Sequence, residues 1–170
     1  MSRIRITGGR LRGRWLAAPT GNAVRPTSSR VREAVFSILG QDLSGQAFLD
    51  CCCGSGIMAA EAYSRGATVT ALEKEGRRAK QLQRVLADIA PGVTVLRRDA
   101  RRPLDGAWDV AFIDPPYALD PTPFIAARAE ATPWVLVEAE ARREAPEGVG
   151  GLVLERVRAF GDTAIWEYRR

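Results

Sequence analysis

From residue 46 onward the chain alternates short apolar runs with segments whose apolar residues recur every three or four positions. AFLDC (47–51), TVTALE (68–73), VTVLRR (93–98), WDVAFI (108–113) and WVLVEA (134–139) read as buried strands. Helices are expected between them: Ser55 to Arg65, closed by Gly66; residues 75–90, ended by Pro91-Gly92; and a short one near 123–131. This alternation predicts a mostly parallel, doubly wound α/β sheet. The end of the chain departs from it. LVLERVRAF and TAIWEYR are separated only by Gly161-Asp162, which predicts an antiparallel hairpin finishing the sheet. Upstream, RIRITGGRLRGRWLAA (3–18) alternates apolar and basic residues around Gly8-Gly9 and Gly13, the pattern of a small β-hairpin with arginines on one face. A Pro/Thr/Ser/Asn connector follows. From Ser29 a helix is expected, with Val31, Ala34, Val35, Ile38 and Leu39 on one face and Gly40 as its stop. The chain thus divides into a basic hairpin and connector, 1–27, and an α/β unit, 28–170.

Composition narrows the class. Hydrophobic residues are 46% and charged residues 26% of 170, the balance of a water-soluble domain with a real core. No apolar run approaches the ~18 residues of a membrane span. MSRIRITGG has no apolar h-region, so a cytoplasmic protein is expected. There is no histidine, which excludes Ser-His-Asp and Cys-His catalysis and histidine metal sites; no metal is expected. Cys51, Cys52 and Cys53 are consecutive and cannot form a disulfide framework; they read as small buried hydrophobes in a reducing compartment.

The net charge of +5 is unevenly placed. Residues 1–32 carry eight arginines (Arg3, Arg5, Arg10, Arg12, Arg14, Arg25, Arg30, Arg32) and no acid, whereas the other 138 residues hold 17 Lys/Arg against 20 Asp/Glu. A basic end of this kind is the mark of a polyanion partner, and arginine suits bidentate phosphate contacts and base stacking. Trp15 lies in this segment and is expected to pack, as are Trp166 and Tyr168 in the last strand.

The first strand of the α/β unit runs into Asp50-Cys51-Cys52-Cys53-Gly54-Ser55-Gly56, where the next helix begins. Glycines there let the backbone turn sharply and approach a ligand at a helix N-terminus. Glu73 ends the second strand 23 residues after Asp50, the distance at which doubly wound folds place an acid for ribose hydroxyls. Asp99 follows the third strand, where the crevice could take an adenine amine. Gly54-x-Gly56-x-x-Ala59 also fits a loose dinucleotide fingerprint, so an NAD-binding oxidoreductase stays open. After the fourth strand comes Asp114-Pro115-Pro116-Tyr117. A carboxylate and a carbonyl turned outward by prolines offer two acceptors to the hydrogens of a planar amine, and the tyrosine ring offers a base a stacking platform.

Together these pieces resemble a class I S-adenosylmethionine-dependent methyltransferase acting on an amino group. "RITGGRLRGRWL", "RPTSSRVREAVFSIL", "GSGIMAAEAYSRGA", "DPPY" and "FGDTAIWEYR" are similar, in order and over nearly the whole chain, to the RsmD type, the bacterial 16S rRNA guanine-N2 methyltransferases. The resemblance implies a Rossmann-like, seven-stranded, mostly parallel sheet with an antiparallel final strand and a small N-terminal hairpin extension. It implies S-adenosylmethionine as methyl donor, S-adenosylhomocysteine as product, and as target a guanine N2 amine of the guanine-966 type in 16S rRNA. The partner is the small ribosomal subunit or an assembly intermediate, and a monomer is expected. Carried over by motif, Asp50, Cys51, Gly54, Ser55 and Gly56 form the cofactor loop, Glu73 with Lys74 holds the ribose, and Asp99 with Ala100 contacts the adenine. Asp114, Pro115, Pro116 and Tyr117 form the catalytic motif, with Asp114 also beside the cofactor. Arg3, Gly8, Gly9, Arg10, Arg12, Arg14, Arg25, Arg30 and Arg32 fall in the segments expected to touch RNA. The three cysteines replace the family's usual leucine, phenylalanine and alanine. Two other readings stand beside this one: a DNA adenine-N6 methyltransferase, because Asp-Pro-Pro-Tyr alone does not choose between purines, and a non-catalytic RNA-binding assembly factor using the basic end.

Overall fold

The computed structural model describes residues 3–18 and 26–170. Arg25 lies outside the described residues. Two strands, β1 (Arg3–Arg5) and β2 (Trp15–Ala17), pair antiparallel, with Ile4 opposite Leu16 and both buried. Helix α1 (Ser29–Leu39) starts where the Ser28 side chain accepts the Val31 N–H at 3.2 Å and stops at Gly40, whose φ of 98° ends the helix. The helix buries Val31, Val35 and Leu39 of the predicted face together with Phe36, while Ala34 and Ile38 are half-buried.

Five parallel strands follow: β3 (Ala47–Asp50), β4 (Thr68–Glu73), β5 (Thr94–Arg97), β6 (Val110–Ile113) and β7 (Trp134–Glu140). Between them run α2 (Ile57–Ser64), α3 (Gly76–Ile89) and α4 (Thr122–Ala126). Three further strands, β8 (Gly148–Val149), β9 (Leu152–Phe160) and β10 (Thr163–Arg169), complete a sheet of order β5-β4-β3-β6-β7-β10-β9-β8. The strand order reverses direction at β3, which has β4 on one side and β6 on the other. A crevice opens at the carboxyl ends there, because the two crossovers leave on opposite sides.

The final hairpin forms as its turn predicts, but its second strand is not at the rim. β10 inserts between β7 and β9, antiparallel to both, and buries Trp166 and Tyr168 as expected. The sheet has eight strands rather than seven, because the two-residue β8 adds a short outer pair to β9. A pairing this short leaves no periodic trace in sequence.

Alternate residues of each strand feed two cores. Phe48, Val69, Val110, Phe112, Leu136 and Ile165 face α1, α2, α3 and the N-terminal hairpin. Leu49, Leu72, Ile113, Val137 and Trp166 face α4 on the other side. Helix α2 is buried over nearly its whole surface because the sheet and α3 cover one side and the hairpin the other. Ile4, Ile6, Leu11 and Leu16 share the first core, so the hairpin is packed onto the α/β unit.

A buried carboxylate fixes that packing. Glu61 of α2 accepts the Thr7 N–H (2.8 Å), the Thr7 hydroxyl (2.9 Å), Arg32 Nε (3.2 Å) and Arg65 Nη1 (2.5 Å). Arg32 also donates to the carbonyls of Thr27 and Arg5, which ties the start of α1 to the ribbon. Gly8 and Gly9 have a steric reason here. A Cβ on Gly8 would lie 2.2 Å from the Arg65 guanidinium, and one on Gly9, at φ +72°, 2.1 Å from the Ser64 carbonyl. No helix among the described residues is long and apolar enough to cross a membrane.

Candidate active site

The crevice at the switch point is a cleft of about 720 Å³. Its floor is the loop after β3. Asp50, 1% exposed, does not project into this space as a bare charge. Its Oδ2 accepts the Ala59 N–H at 3.1 Å, and the Cys52 N–H bonds it as well. Burial pushes its carboxyl up to about 7, against the pull of those two donors and with help from the charge of Glu73. Asp50 thus closes the loop from behind. Gly54 (φ 47°) and Gly56 (φ 80°) take left-handed turns around it, and Gly56 is also pressed against Leu82 of α3, 3.1 Å from where a Cβ would stand. Cys51 and Cys53 are buried and Cys52 half-buried, all three as thiols outside any disulfide. Desolvation pushes Cys51 up to about 12 and the other two well above the ordinary thiol value, as expected of packing residues.

One wall comes from β4. Glu73 accepts the Glu75 N–H at 2.8 Å and faces Arg78 Nη1 at 3.7 Å; Glu73, Lys74 and Arg78 all line the cleft. Beyond β5 an acid is paired with an arginine. The Asp99 carboxylate is clamped by Arg101 through Nε (3.0 Å), Nη2 (2.6 Å) and the backbone N–H (3.0 Å), which hold it well below the usual carboxylate range. Ala100, Arg101 and Phe124 line the cleft at that point, whereas Asp99 does not. Asp99 shapes the turn that presents them.

The other wall is the motif after β6. The Cys51 N–H donates to the Phe112 carbonyl at 2.8 Å, so the glycine loop and the motif leave two hydrogen-bonded strands side by side. Asp114 is half-buried and its Oδ2 accepts the Thr27 hydroxyl at 3.2 Å, which brings the segment before α1 over the cleft. The Tyr117 hydroxyl lies 2.6 Å from Thr163 Oγ1 and donates to Glu138 Oε1 at 3.4 Å, while Arg143 Nη2 holds the Tyr117 carbonyl at 2.7 Å. The ring is therefore held at its tip and at its backbone. Asp114, Pro115, Pro116 and Tyr117 all line the same space as Asp50, Cys51, Gly54, Ser55 and Glu73. Thr27, Arg101, Phe124, Glu138 and Thr163 join them without having been singled out in the sequence. Of these only Glu138 carried a signal, an acid interrupting the apolar run of WVLVEA.

The basic ribbon packs on α2, its turn against Tyr63, Ser64 and Arg65. Arg3, Arg5, Arg10, Arg12 and Arg14 are exposed, and Arg10 sits 4.2 Å over the Tyr63 ring. Arg30 is exposed 5.8 Å over Phe160, so the basic surface continues to the tip of the β9–β10 hairpin. Two expectations are corrected. Arg32 is 4% exposed and committed to Glu61, Thr27 and Arg5, which removes it from this surface. Trp15 does not pack: it is 56% exposed, because its position in β2 puts it opposite Arg5 on the outer face.

Comparison with known proteins agrees with this arrangement. The family model described as "Conserved hypothetical protein 95" matches residues 4–169. Ribosomal RNA small subunit methyltransferase D of Escherichia coli K12 is 32% identical over 178 residues, covering 98% of this chain and 90% of that protein. YlbH of Bacillus subtilis is 29% identical over 184 residues, covering 98% and 99%. Among solved structures, the E. coli protein yhhF superposes with a TM-score of 0.82 at 30% identity, covering 99% of this chain and 98% of that one. Magnesium protoporphyrin IX methyltransferase of Synechocystis, at 17% identity and a TM-score of 0.66 over 83% of this chain and 78% of its own, shares the class I methyltransferase fold. The chain belongs to the Conserved hypothetical protein 95 family, that of the RsmD proteins.

Proposed function

We propose that this chain methylates the exocyclic N2 amine of a guanine in small-subunit rRNA, of the guanine-966 type, with S-adenosylmethionine as donor. The observation that carries the reading is the convergence of two motifs: Asp114-Pro115-Pro116-Tyr117 and the glycine loop line one cleft at the switch point of the sheet. The likeness to ribosomal RNA small subunit methyltransferase D supports rRNA as the polymer, and the exposed arginine ribbon supports a polyanion partner.

The residues present fit the cofactor. Backbone turned through Gly54 and Gly56 leaves room for close approach, Glu73 offers acceptors to ribose hydroxyls, and Ala100 with Phe124 gives an apolar slot for a flat ring. The Synechocystis enzyme of the same fold was solved with this cofactor bound. When bound, S-adenosylmethionine supplies an activated sulfonium methyl. The chain supplies position. Tyr117 stacks the base, Asp114 and the Pro115 carbonyl accept the two amine hydrogens, and the nitrogen lone pair is thereby turned towards the methyl carbon. Asp114, or water beside it, would take the proton that the amine gives up on methylation. Asp50 stays behind the loop and Asp99 keeps its clamp on Arg101.

Mass spectrometry of small-subunit rRNA from cells lacking this protein tests the reading. Loss of one N2-methylguanine is expected; an unchanged modification profile overturns it.

A further inference from the structure

Glu138 stands beside Asp114 at the mouth of the cleft. The β6–β7 register ends with Ile113 opposite Val137, so Glu138 is the next residue of β7 past the point where the chain leaves β6 at Asp114. Both line the cleft, and Glu138 is 6% exposed. A carboxylate kept this dry on an apolar strand has a cost that pairing must offset. Its bond to the Tyr117 hydroxyl, at 3.4 Å, is long, and that hydroxyl sits closer to Thr163 at 2.6 Å. The tyrosine tip therefore keeps a partner when substrate engages Glu138. A carboxylate accepts through two oxygens with about four lone-pair directions, so it can hold neighbouring protein groups and take a donor from the cleft at the same time.

The purines differ at the position this acid would meet. A guanine whose N2 amine is held by Asp114 presents N1–H next to it, two donor groups side by side. An adenine whose N6 amine is held there presents an unprotonated N1, whose lone pair would face the second carboxylate. Two adjacent acceptors match the first edge and repel the second. We propose that Glu138 is the residue that selects the base, its carboxylate accepting the N1–H of the target guanine while Asp114 holds the amine. This rests on the guanine-N2 reading and sharpens it, because Asp-Pro-Pro-Tyr alone serves either purine.

The experiment uses small-subunit rRNA carrying either guanine or 2-aminopurine at the modified position. 2-Aminopurine keeps the N2 amine but has a bare N1 acceptor. Wild-type protein should favour guanine in kcat/KM by roughly 10- to 10²-fold, the size expected where a buried acceptor loses its donor. E138Q, whose amide N–H can donate to that N1, should narrow the preference about tenfold or more, with the 2-aminopurine rate rising in absolute terms. T163V, which removes only the other partner of Tyr117, should lower both substrates alike. Equal wild-type rates on the two RNAs overturn the inference without any variant, and so does an E138Q preference equal to the wild-type one. Methylation of an adenine instead of a guanine overturns the guanine-N2 reading and this inference together, whereas an unchanged preference removes this inference alone.

Discussion

The strand-edge cleft and the N-terminal ribbon carry charge in opposite ways. In the cleft each acid is already held: Asp50 by the Ala59 and Cys52 N–H groups, Glu73 by the Glu75 N–H, Asp114 by Thr27. On the ribbon Arg3, Arg5, Arg12 and Arg14 stand in solvent, whereas Arg32, at the start of α1, turns inward and is spent on Glu61. A reaction centre benefits from groups fixed before the substrate arrives, because no reorganisation is then needed as bonds change. A docking surface for a polyanion benefits from charges that keep their reach and exchange solvent ions for phosphates. The same residue types thus do different work according to whether the fold has already claimed them.

The sharpest way to break this comparison is at Asp114. Asp114→Ala should lower kcat on rRNA by about 10²–10⁴-fold, the range for a positioned proton-accepting group. S-adenosylmethionine affinity, read by calorimetry, should stay within a few-fold, because the loop is closed by Asp50 and not by Asp114. Full activity in the variant would place the chemistry elsewhere.

Next in size is the contrast between two arginines of one segment. Arg32→Ala removes one of the two guanidiniums on the buried Glu61 and frees the Thr27 and Arg5 carbonyls, and should cost about 1–3 kcal/mol in urea unfolding. Arg12→Ala, on the exposed face, should stay within about 0.5 kcal/mol while weakening RNA binding. If the two exchange places, the division between latch and docking surface is wrong.

That contrast also marks what could be read from residues alone. Strand and helix order was legible because each apolar run is bounded by its own glycines, prolines and acids. The cleft motifs were legible because strand ends on a parallel sheet converge by topology, so Asp50, Glu73 and Asp114 had to meet near one crevice. The ribbon's alternation gave its outer arginines. Arg32 misled because a charge count sees no partner 29 residues away, and Glu61 lies inside an apolar helix whose pattern says only that it is buried. Trp15 was read as packing by its size, whereas strand register puts it outside. The insertion of β10 between β7 and β9 depends on long-range pairing that no local spacing records.

A pH series separates the regions further. The Asp50 carboxyl, raised to about 7 in the fold from about 3.8 in an unfolded chain, binds its proton more tightly in the native state. Its contribution to stability is therefore fully present below pH 3.8 and is lost as pH rises through 7. Asp50→Asn should flatten that part of the profile, measured as unfolding free energy between about pH 4 and 8 on protein without cofactor. Substitutions on the ribbon should leave it unchanged. A profile identical in Asp50→Asn and wild type would mean that Asp50 is not held in the dry setting described.

The smallest effects belong to the ribbon itself, and they test whether it is a surface of independent contacts. Each exposed arginine that touches a phosphate releases counterions on binding, so replacing Arg3, Arg12 or Arg14 singly should reduce the slope of log affinity against log salt by about 0.7–0.9. Trp15→Ala should behave differently. Stacking on an unpaired base is worth about 1–3 kcal/mol and carries no charge, so affinity should fall while the salt slope stays fixed. Stability should hardly change, because the indole is more than half exposed and Leu16, not Trp15, fills the core beneath the ribbon. A fall in stability for Trp15→Ala, or a salt slope indifferent to every arginine, would turn the ribbon from a docking face into a structural flap. The cleft would then have to recruit its RNA through the β9–β10 hairpin, where Arg30 meets Phe160.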